Sequence, residues 1–167
     1  MPRLCLMLAS VALLAAPALA DEPILGPAIE DYGPTYPIDD RDVQLEDAAV
    51  YRAVFDVASY SEDVSKLSRR LESVARFINM HVRNGTPLEN MELAVVLHGR
   101  AVKTVMTHAA YRNRFDQDNP NLELVTRLHD AGVQFYMCGQ SIAFTGVAKE
   151  ELADPVNVAL SAMTMLT

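Results

Sequence analysis

The sequence predicts an α/β domain in which helices cover both faces of a mostly parallel sheet. Two segments, MELAVVLHG (91–99) and VQFYMCG (133–139), are almost wholly apolar, which is typical of strands buried on both faces. Segments with the three-to-four-residue periodicity of helices separate these runs from each other and from two further strand-like runs. An alternation of strands and helices in this order predicts a parallel sheet.

The first strand and helix are expected between Tyr51 and Gly85. YRAVFDVAS, which starts at Tyr51, alternates between polar and apolar residues as a strand does. Ser59 and Glu62 have the S-x-x-E spacing of a capping box, so we expect a helix to begin there and to end at Asn84-Gly85. Its apolar face repeats at steps of three or four residues: Val64, Leu67, Leu71, Val74, Ile78 and Val82.

The second half of the chain is predicted to form four more helices and two more strands. A helix is expected near Arg100, and the polar stretch 110–121 is too charged for a core and long enough to cover the mouth of a site. Pro120 is expected at the first position of a helix that ends at Ala131-Gly132. After the strand at 133–139 come a short helix, a break at Pro155, a strand at 156–162 and one turn of a C-terminal helix.

The first twenty residues have the pattern of a secretory signal peptide. Arg3 precedes an apolar stretch, and Ala18-Leu19-Ala20 forms a small-x-small cleavage site directly before Asp21. The predicted division is therefore a signal peptide at 1–20, an arm at 21–48 and an α/β domain at 49–167. Cys5 would leave with the signal, so that Cys138 remains as the single cysteine of an exported protein.

Charge is concentrated in the arm. Residues 21–48, which we call the acidic arm, hold nine acidic residues against Arg41, with four prolines and two glycines. Such a composition favours an extended segment, which either docks on a neighbouring subunit or stays solvated. Residues 49–167 carry thirteen acids and twelve Lys or Arg residues, which excludes a basic nucleic-acid-binding surface. After the predicted cleavage site the sequence contains no second apolar stretch long enough to span a membrane, so no membrane segment is predicted there.

Two strand ends carry the candidate site residues. One is Leu97-His98-Gly99-Arg100 and the other is Met137-Cys138-Gly139-Gln140-Ser141. If the two strands are neighbours, His98 and Cys138 face the same crevice at the carboxyl edge of the sheet, where connections that leave for opposite faces create a ligand site. The N–H groups of the helix after Cys138 would favour the thiolate, and Gly139 would leave the thiol without steric cover.

Each candidate also has a structural interpretation. A lone cysteine is often buried and inert, and a histidine at a strand end is often held by hydrogen bonds. Alternatively, His98 takes the thiol proton or orients a ligand. In that interpretation the residues that bind the ligand or the transferred sulfur are Gly99, Gly139, Gln140 and Ser141. One cysteine and one histidine do not predict a metal site. No cofactor is expected, because the chain has no G-x-G-x-x-G, no phosphate-binding loop and no G-x-S-x-G elbow.

Several segments together resemble exported members of the DsrE/DsrF-like family. The CGQS turn and the upstream LHG are the most specific of them; the wider likeness runs through VARFINMHVRNG (74–85), ELAVVLHGRAVK (92–103), AYRNRF, NPNLEL, GVQFYMCGQS (132–141) and VNVALSAMTML (156–166). The resemblance implies a flavodoxin-like three-layer domain, a periplasmic location and assembly as a trimer or hexamer. It also implies a cysteine that holds persulfide sulfur and passes it to a partner protein. Aligned on Gly146, that cysteine of the intracellular relatives falls nearer Ser141 than Cys138.

Three functions remain open from the sequence. In the first, a periplasmic sulfur-handling protein receives sulfur on Cys138 from a donor and hands it to an acceptor, and His98 tunes the thiol. In the second, a small-molecule-binding or enzymatic domain uses the same crevice, with Cys138 as nucleophile and His98 as base. In the third, the domain is a structural module of an oligomer. Whether the protein catalyses a reaction is left open by the sequence.

Overall fold

The computed structural model describes residues 22–46 and 48–167. The predicted signal peptide at 1–20 lies outside the described residues, as do Asp21 and Asp47 of the acidic arm. Within the described part of the chain, no helix has both the length and the apolar character needed to cross a membrane.

A parallel sheet forms the centre of the domain. In the described residues it has four strands in the order β1-β2-β3-β4, and every neighbouring pair is parallel. The strands are β1 (Tyr51–Val57), β2 (Met91–Leu97), β3 (Gln134–Cys138) and β4 (Val156–Ala159). The α/β class and the parallel sheet predicted from the sequence are therefore confirmed, and the strand predictions are correct to within a few residues.

Five α-helices and three short 3-10 helices connect the strands of the described chain. The α-helices are α1 (Arg69–Arg83), α2 (His108–Phe115), α3 (Leu122–Asp130), α4 (Gly139–Thr145) and α5 (Ala162–Met165). The 3-10 helices are Leu88–Asn90, Gly99–Val105 and Lys149–Glu151. The segment after β2 is thus a 3-10 helix, and α3 begins two residues after Pro120.

Helix α1 begins later than the sequence predicts. Its N-cap is Ser68, whose hydroxyl accepts a hydrogen bond from the Leu71 N–H at 3.4 Å, so the Ser59–Glu62 capping box is wrong. The Ser68 N–H donates in turn to the buried side chain of Asn121 at 2.6 Å, which holds this start in place from α3. The side chain of Asn121, which is distant in sequence, thus favours Ser68 over Ser59 as the N-cap of α1. The predicted end at Asn84-Gly85 is confirmed, since Asn84 caps the helix and Gly85 has a φ of 93°.

The polar stretch 110–121 does not cover a site. It contains most of α2, and Tyr111 is fully buried, with its hydroxyl donating to the Val64 carbonyl at 2.7 Å. Asn119 is also buried, and its amide nitrogen donates to the carbonyl of Met106 at 2.7 Å. The charged residues of this segment are exposed or half-buried, while Tyr111, Asn119 and Asn121 are buried. Charge content alone therefore gave the wrong role for this stretch.

The two faces of the sheet differ in their cover. On the covered face, Phe55 of β1 contacts Phe77 of α1 with ring centroids 5.5 Å apart, and α1 packs against α3. Right-handed connections between strands that follow one another in a single direction place their helices on the same face. The buried side chains of this face are Val57, Met91, Leu93, Val95, Leu97, Phe135, Met137 and Val156.

The opposite face, which we call the open face, is largely exposed. Its exposed side chains are Arg52, Val54, Asp56, Glu92, Gln134 and Asn157. Among the described elements, α5 contacts β2, β3 and β4 at their carboxyl ends, where Val96 and Cys138 are buried. Within the described residues, the helical cover that we identify on this face is the single turn of α5.

The acidic arm packs against its own domain. Asn79 of α1 is fully buried and accepts hydrogen bonds from the backbone N–H groups of Ala28 and Ile29 at 3.1 and 2.8 Å. Its amide nitrogen donates to the carbonyl of Tyr32 at 2.8 Å. The arm was expected to be solvated or to dock on a neighbour, yet residues 28–33 are held on α1 because one asparagine satisfies their backbone groups.

Candidate functional site

The structure brings the two predicted turns together. Strands β2 and β3 are neighbours, and their last paired residues are Leu97 and Met137, so His98 and Cys138 occupy the next positions of adjacent strands. The Gly99 N–H donates to the Ser141 hydroxyl oxygen at 2.9 Å and links one turn to the other. The strand order contains no reversal within the described sheet, however, so the site does not lie at a topological switch point as expected.

Cys138 ends β3 directly before α4, and donors of α4 and α5 act on its thiol. The residue is only 5% exposed. Burial raises the pKa of the thiol, but the Ser141 hydroxyl and the backbone N–H groups of Ala162, Ser141 and Gln140 lower it, and the pKa lies below its ordinary value. These donors come from both α4 and α5, which begin beside the thiol. The arrangement favours the thiolate, as is typical of reactive cysteines.

Gly139 does not serve to uncover the thiol, contrary to the expectation from the sequence. A Cβ atom at this position would lie 2.7 Å from the carbonyl oxygen of Ala159, so glycine is needed for the close approach of β4. Gln140 donates from its side-chain nitrogen to the carbonyl of Leu160 at 3.3 Å. Both residues therefore hold the turn against the end of β4, and the Gln140 N–H also contributes to the thiol environment.

Gly99 begins the 3-10 helix after His98 in a left-handed backbone conformation. Its φ is 54°, and an added Cβ atom would lie 3.1 Å from the carbonyl oxygen of Ala58. The glycine thus lets the chain turn sharply at the end of β2, which directs the Gly99 N–H at Ser141. Its role in the described structure is to join the two turns.

His98 contacts a carboxylate that the sequence reasoning did not identify. Its Nε2 lies 2.7 Å from Oδ1 of Asp56 on β1, and the two side chains are 30% and 54% exposed. Asp56 is paired in register with Val96, two residues before His98, so both side chains project from the open face. The alternation of YRAVFDV contained a signal, since an acid near the end of a strand falls next to the neighbouring strand end.

Uncharged segments with exposed apolar side chains follow the Cys138 turn and β4. Three large side chains there are strongly exposed: Phe144 at 92%, Met163 at 76% and Leu160 at 74%. No Asp, Glu, Lys, Arg or His residue occurs at 131–148 or at 155–167, although the chain as a whole carries a net charge of −8. We call Phe144, Leu160 and Met163 the apolar rim. Large exposed apolar groups on an uncharged surface are typical of an interaction site.

The described residues hold no group of three or more His, Cys, Asp or Glu side chains that could bind a metal ion. The Asp56–His98 pair and Cys138 offer proton transfer and nucleophilic chemistry, because they combine an imidazole held by a carboxylate with a thiol of lowered pKa.

Comparisons with known proteins agree with this architecture. The model of the DsrE/DsrF-like family matches residues 52–167. A solved structure, that of a protein of unknown function (MTH1491) from Methanobacterium thermoautotrophicum, aligns with a TM-score of 0.50 at 21% identity over 70% of this chain and 87% of that one. No curated protein matches the chain. The structural likeness concerns the fold, and with the parallel sheet it confirms a flavodoxin-like α/β domain.

Proposed function

The chain belongs to the DsrE/DsrF-like family, and from this premise we propose that it is a sulfur-handling protein that carries sulfane sulfur as a persulfide on Cys138. The observation that carries the proposal is the set of donors around the thiol, which lower its pKa despite burial. A thiolate is the form that attacks sulfur, and the same donors would stabilise a persulfide anion after transfer.

The chemistry of loading needs no redox partner. The Cys138 thiolate attacks the outer sulfur of a donor persulfide R–S–SH, the donor S–S bond breaks, and Cys138–S–SH and R–S⁻ are formed. The leaving thiolate then takes up a proton to give R–SH. The sulfur passes to an acceptor thiol by the same exchange in reverse, so the protein would work between a donor and an acceptor, which are expected to be other proteins of the relay.

Mass spectrometry of the intact protein tests the proposal. Residues 21–167 contain Cys138 as their single cysteine, so sulfur bound covalently to a thiol of this form must be on Cys138. After incubation with thiosulfate or polysulfide, the mass is expected to rise in steps of one sulfur atom and to return to its starting value with a thiol reductant.

Two variants sharpen this test. Cys138→Ser is expected to gain no sulfur, whereas Ser141→Cys would place a second thiol at the position suggested by the intracellular relatives. A wild-type protein that gains no mass under any of these conditions contradicts the proposal. A Cys138 that is alkylated rapidly near neutral pH but takes up no sulfur would favour the small-molecule-binding or enzymatic alternative.

We also propose that the protein is exported to the periplasm, with cleavage after Ala20. The pattern of Arg3, an apolar stretch and Ala18-Leu19-Ala20 supports this proposal. N-terminal sequencing of protein from the host's periplasmic fraction is expected to begin at Asp21. A chain that retains Arg3 and stays in the cytoplasm would contradict it.

Self-association is the third part of the proposal, as a trimer or hexamer. The apolar rim supports it, because the cores of protein interfaces are depleted of charge and rich in such side chains. Light scattering is expected to report an oligomer that Phe144→Glu dissociates, whereas Val43→Glu on the exposed arm does not. A wild-type monomer at micromolar concentration would contradict it.

A further inference from the structure

Asp56 and His98 form an isolated acid–imidazole pair on the open face. The distance of 2.7 Å from Nε2 to Oδ1 is that of a short hydrogen bond to a carboxylate. Other charged or titratable side chains of this face lie on β1, β2 and β3: Arg52, Glu92, Tyr136 and Cys138. Arg52 is paired with Glu92 at 2.7 Å, nearer the beginning of the strands, so it does not compete for Asp56.

The contact with Asp56 determines which ring nitrogen of His98 is free. A carboxylate accepts a hydrogen bond, so in the neutral ring Nε2 carries the proton and Nδ1 keeps its lone pair. Among the described residues, Nδ1 of His98 has no hydrogen-bond partner within the chain. The ring is therefore held by one nitrogen while the other can accept a proton.

The register places His98 and Cys138 at the ends of neighbouring strands. Val96 pairs with Tyr136, and Leu97 pairs with Met137, so His98 falls opposite Cys138 on the same face of the sheet. Asp56 pairs with Val96, which puts it one step diagonally behind His98. The order across three neighbouring strands is carboxylate, imidazole and thiol.

We propose that Asp56 is a positioning residue that holds His98 as the proton carrier for sulfur transfer at Cys138. This inference rests on the proposed function. His98 Nδ1 takes the proton of the Cys138 thiol, and the thiolate attacks the outer sulfur of a donor R–S–SH. The S–S bond of the donor breaks, the R–S⁻ leaving group takes the proton from the imidazolium, and the products are R–SH and Cys138–S–SH. Neither an oxidant nor a reductant is consumed.

This role predicts a dependence on the leaving group. A basic alkyl thiolate needs a proton when it leaves, whereas an aromatic thiolate of low pKa leaves without one. Asp56→Asn is therefore expected to slow loading from an alkyl persulfide by about 10-fold, the low end of the about 10–100-fold effect that partners orienting metal-bound histidines have. Loading from an aryl persulfide is expected to change less, because with that donor His98 only takes the thiol proton and need not deliver it to the leaving group.

Alkylation provides the control for folding and for thiol access. Iodide needs no proton to leave, so the iodoacetamide rate measured at alkaline pH is expected to be the same for Asp56→Asn and the wild type. Glu92→Gln, an acid-to-amide change on the same face, is expected to leave both loading rates unchanged. Asp56→Glu is expected to recover part of the rate with the alkyl donor.

The outcomes separate the two proposals. If wild-type protein loads sulfur but Asp56→Asn loads it at the wild-type rate from both donors, the positioning role is wrong and the carrier function stands. Equal slowing with both donors would show that His98 takes the thiol proton without delivering it to the leaving group, which contradicts the proposed proton transfer. A slower alkylation of Asp56→Asn at alkaline pH likewise overturns the positioning role, because the change then acts on the thiol site itself. If the wild type loads no sulfur from either donor, both proposals fail.

Discussion

The two faces of one sheet follow different rules in this protein. On the covered face, Phe135 and Met137 are fully buried under the helices, and every side chain there is apolar or packed. On the open face, the residues between and beside them are Gln134, Tyr136 and Cys138, which range from exposed to buried. Neighbouring residues of β3 thus serve the core and the candidate site in alternation, so a sheet covered on one side leaves its other side free for chemistry.

The direction in which the strands are added explains this division. Each connection moves one strand further in the order β1-β2-β3-β4, and right-handed connections then deliver their helices to the same side. On the open face, α5 packs against the ends of the strands next to the Cys138 thiol. A buried side chain on the open face therefore indicates a functional site, whereas a buried side chain on the covered face indicates only the hydrophobic core.

The largest expected effect comes from truncating each face in turn. Phe135→Ala removes a fully buried ring from the covered face and is expected to cost about 3–5 kcal/mol of unfolding free energy. Tyr136→Ala, one residue later on the open face, is expected to cost about 1 kcal/mol, as is usual for a partly exposed position. Urea unfolding of both variants gives the comparison. Equal losses would mean that the open face is also part of the core.

A second prediction concerns the acidic arm, which packs on α1 through Asn79. Asn79→Ala removes the buried amide that satisfies the backbone of residues 28–33. The cost is expected to be about 2–3 kcal/mol, because buried N–H and carbonyl groups of the arm lose their partner. Limited proteolysis is expected to cut the arm of this variant first. Ser73→Ala is the matched control, since the Ser73 hydroxyl donates to the Arg69 carbonyl of the same helix and forms no hydrogen bond with the described residues of the arm. An arm equally resistant in both variants would contradict the prediction.

A smaller effect concerns the donors on the open face. Ser141→Ala is expected to raise the pKa of Cys138 towards its ordinary value, since burial then acts with one donor fewer. The pH profile of alkylation by iodoacetamide would shift to higher pH, whereas Thr145→Ala on the exposed side of α4 would leave it unchanged. An unshifted profile for Ser141→Ala would show that the backbone N–H groups alone determine the pKa.

The same donors link folding to pH. The pKa of Cys138 is lowered in the folded protein, so the thiolate adds stability above the thiol pKa of the unfolded chain, about 8.5. That contribution is lost as the pH falls through the folded pKa. The difference in unfolding free energy between the wild type and Ser141→Ala is therefore expected to be larger at pH 9 than at pH 6, and a difference independent of pH would contradict this sign.

The smallest effect is expected from an exposed ion pair of the open face. Arg52 and Glu92 lie 2.7 Å apart, but their side chains are 70% and 58% exposed, so water and salt screen the attraction. Arg52→Gln is expected to leave the urea midpoint within the error of measurement at physiological salt. A loss comparable with that of Phe135→Ala would mean that the open face is held together by charge.

Local patterns in the sequence were sufficient for the elements and for part of the site. The apolar runs gave β2 and β3, the alternation of YRAVFDV gave β1, and Asn84-Gly85 gave the end of α1. The same runs identified His98 and Cys138 at the ends of two strands, since a strand of this composition ends where glycine and polar residues begin. These features depend on residues a few positions apart, and their physical cause is the periodicity of the backbone and the φ of glycine.

The tertiary structure alone decided the features that depend on distant residues. Asn121 selects Ser68 as the cap of α1, Asn79 holds the arm, and Asp56 reaches His98 across 42 positions of the chain. Each is a hydrogen bond between a side chain and a group that no local pattern brings near. The sequence by itself determined which segments become strands and where the thiol is delivered. The order of the strands, which only folding establishes, decided that one face is covered and that Asp56, His98 and Cys138 share the other.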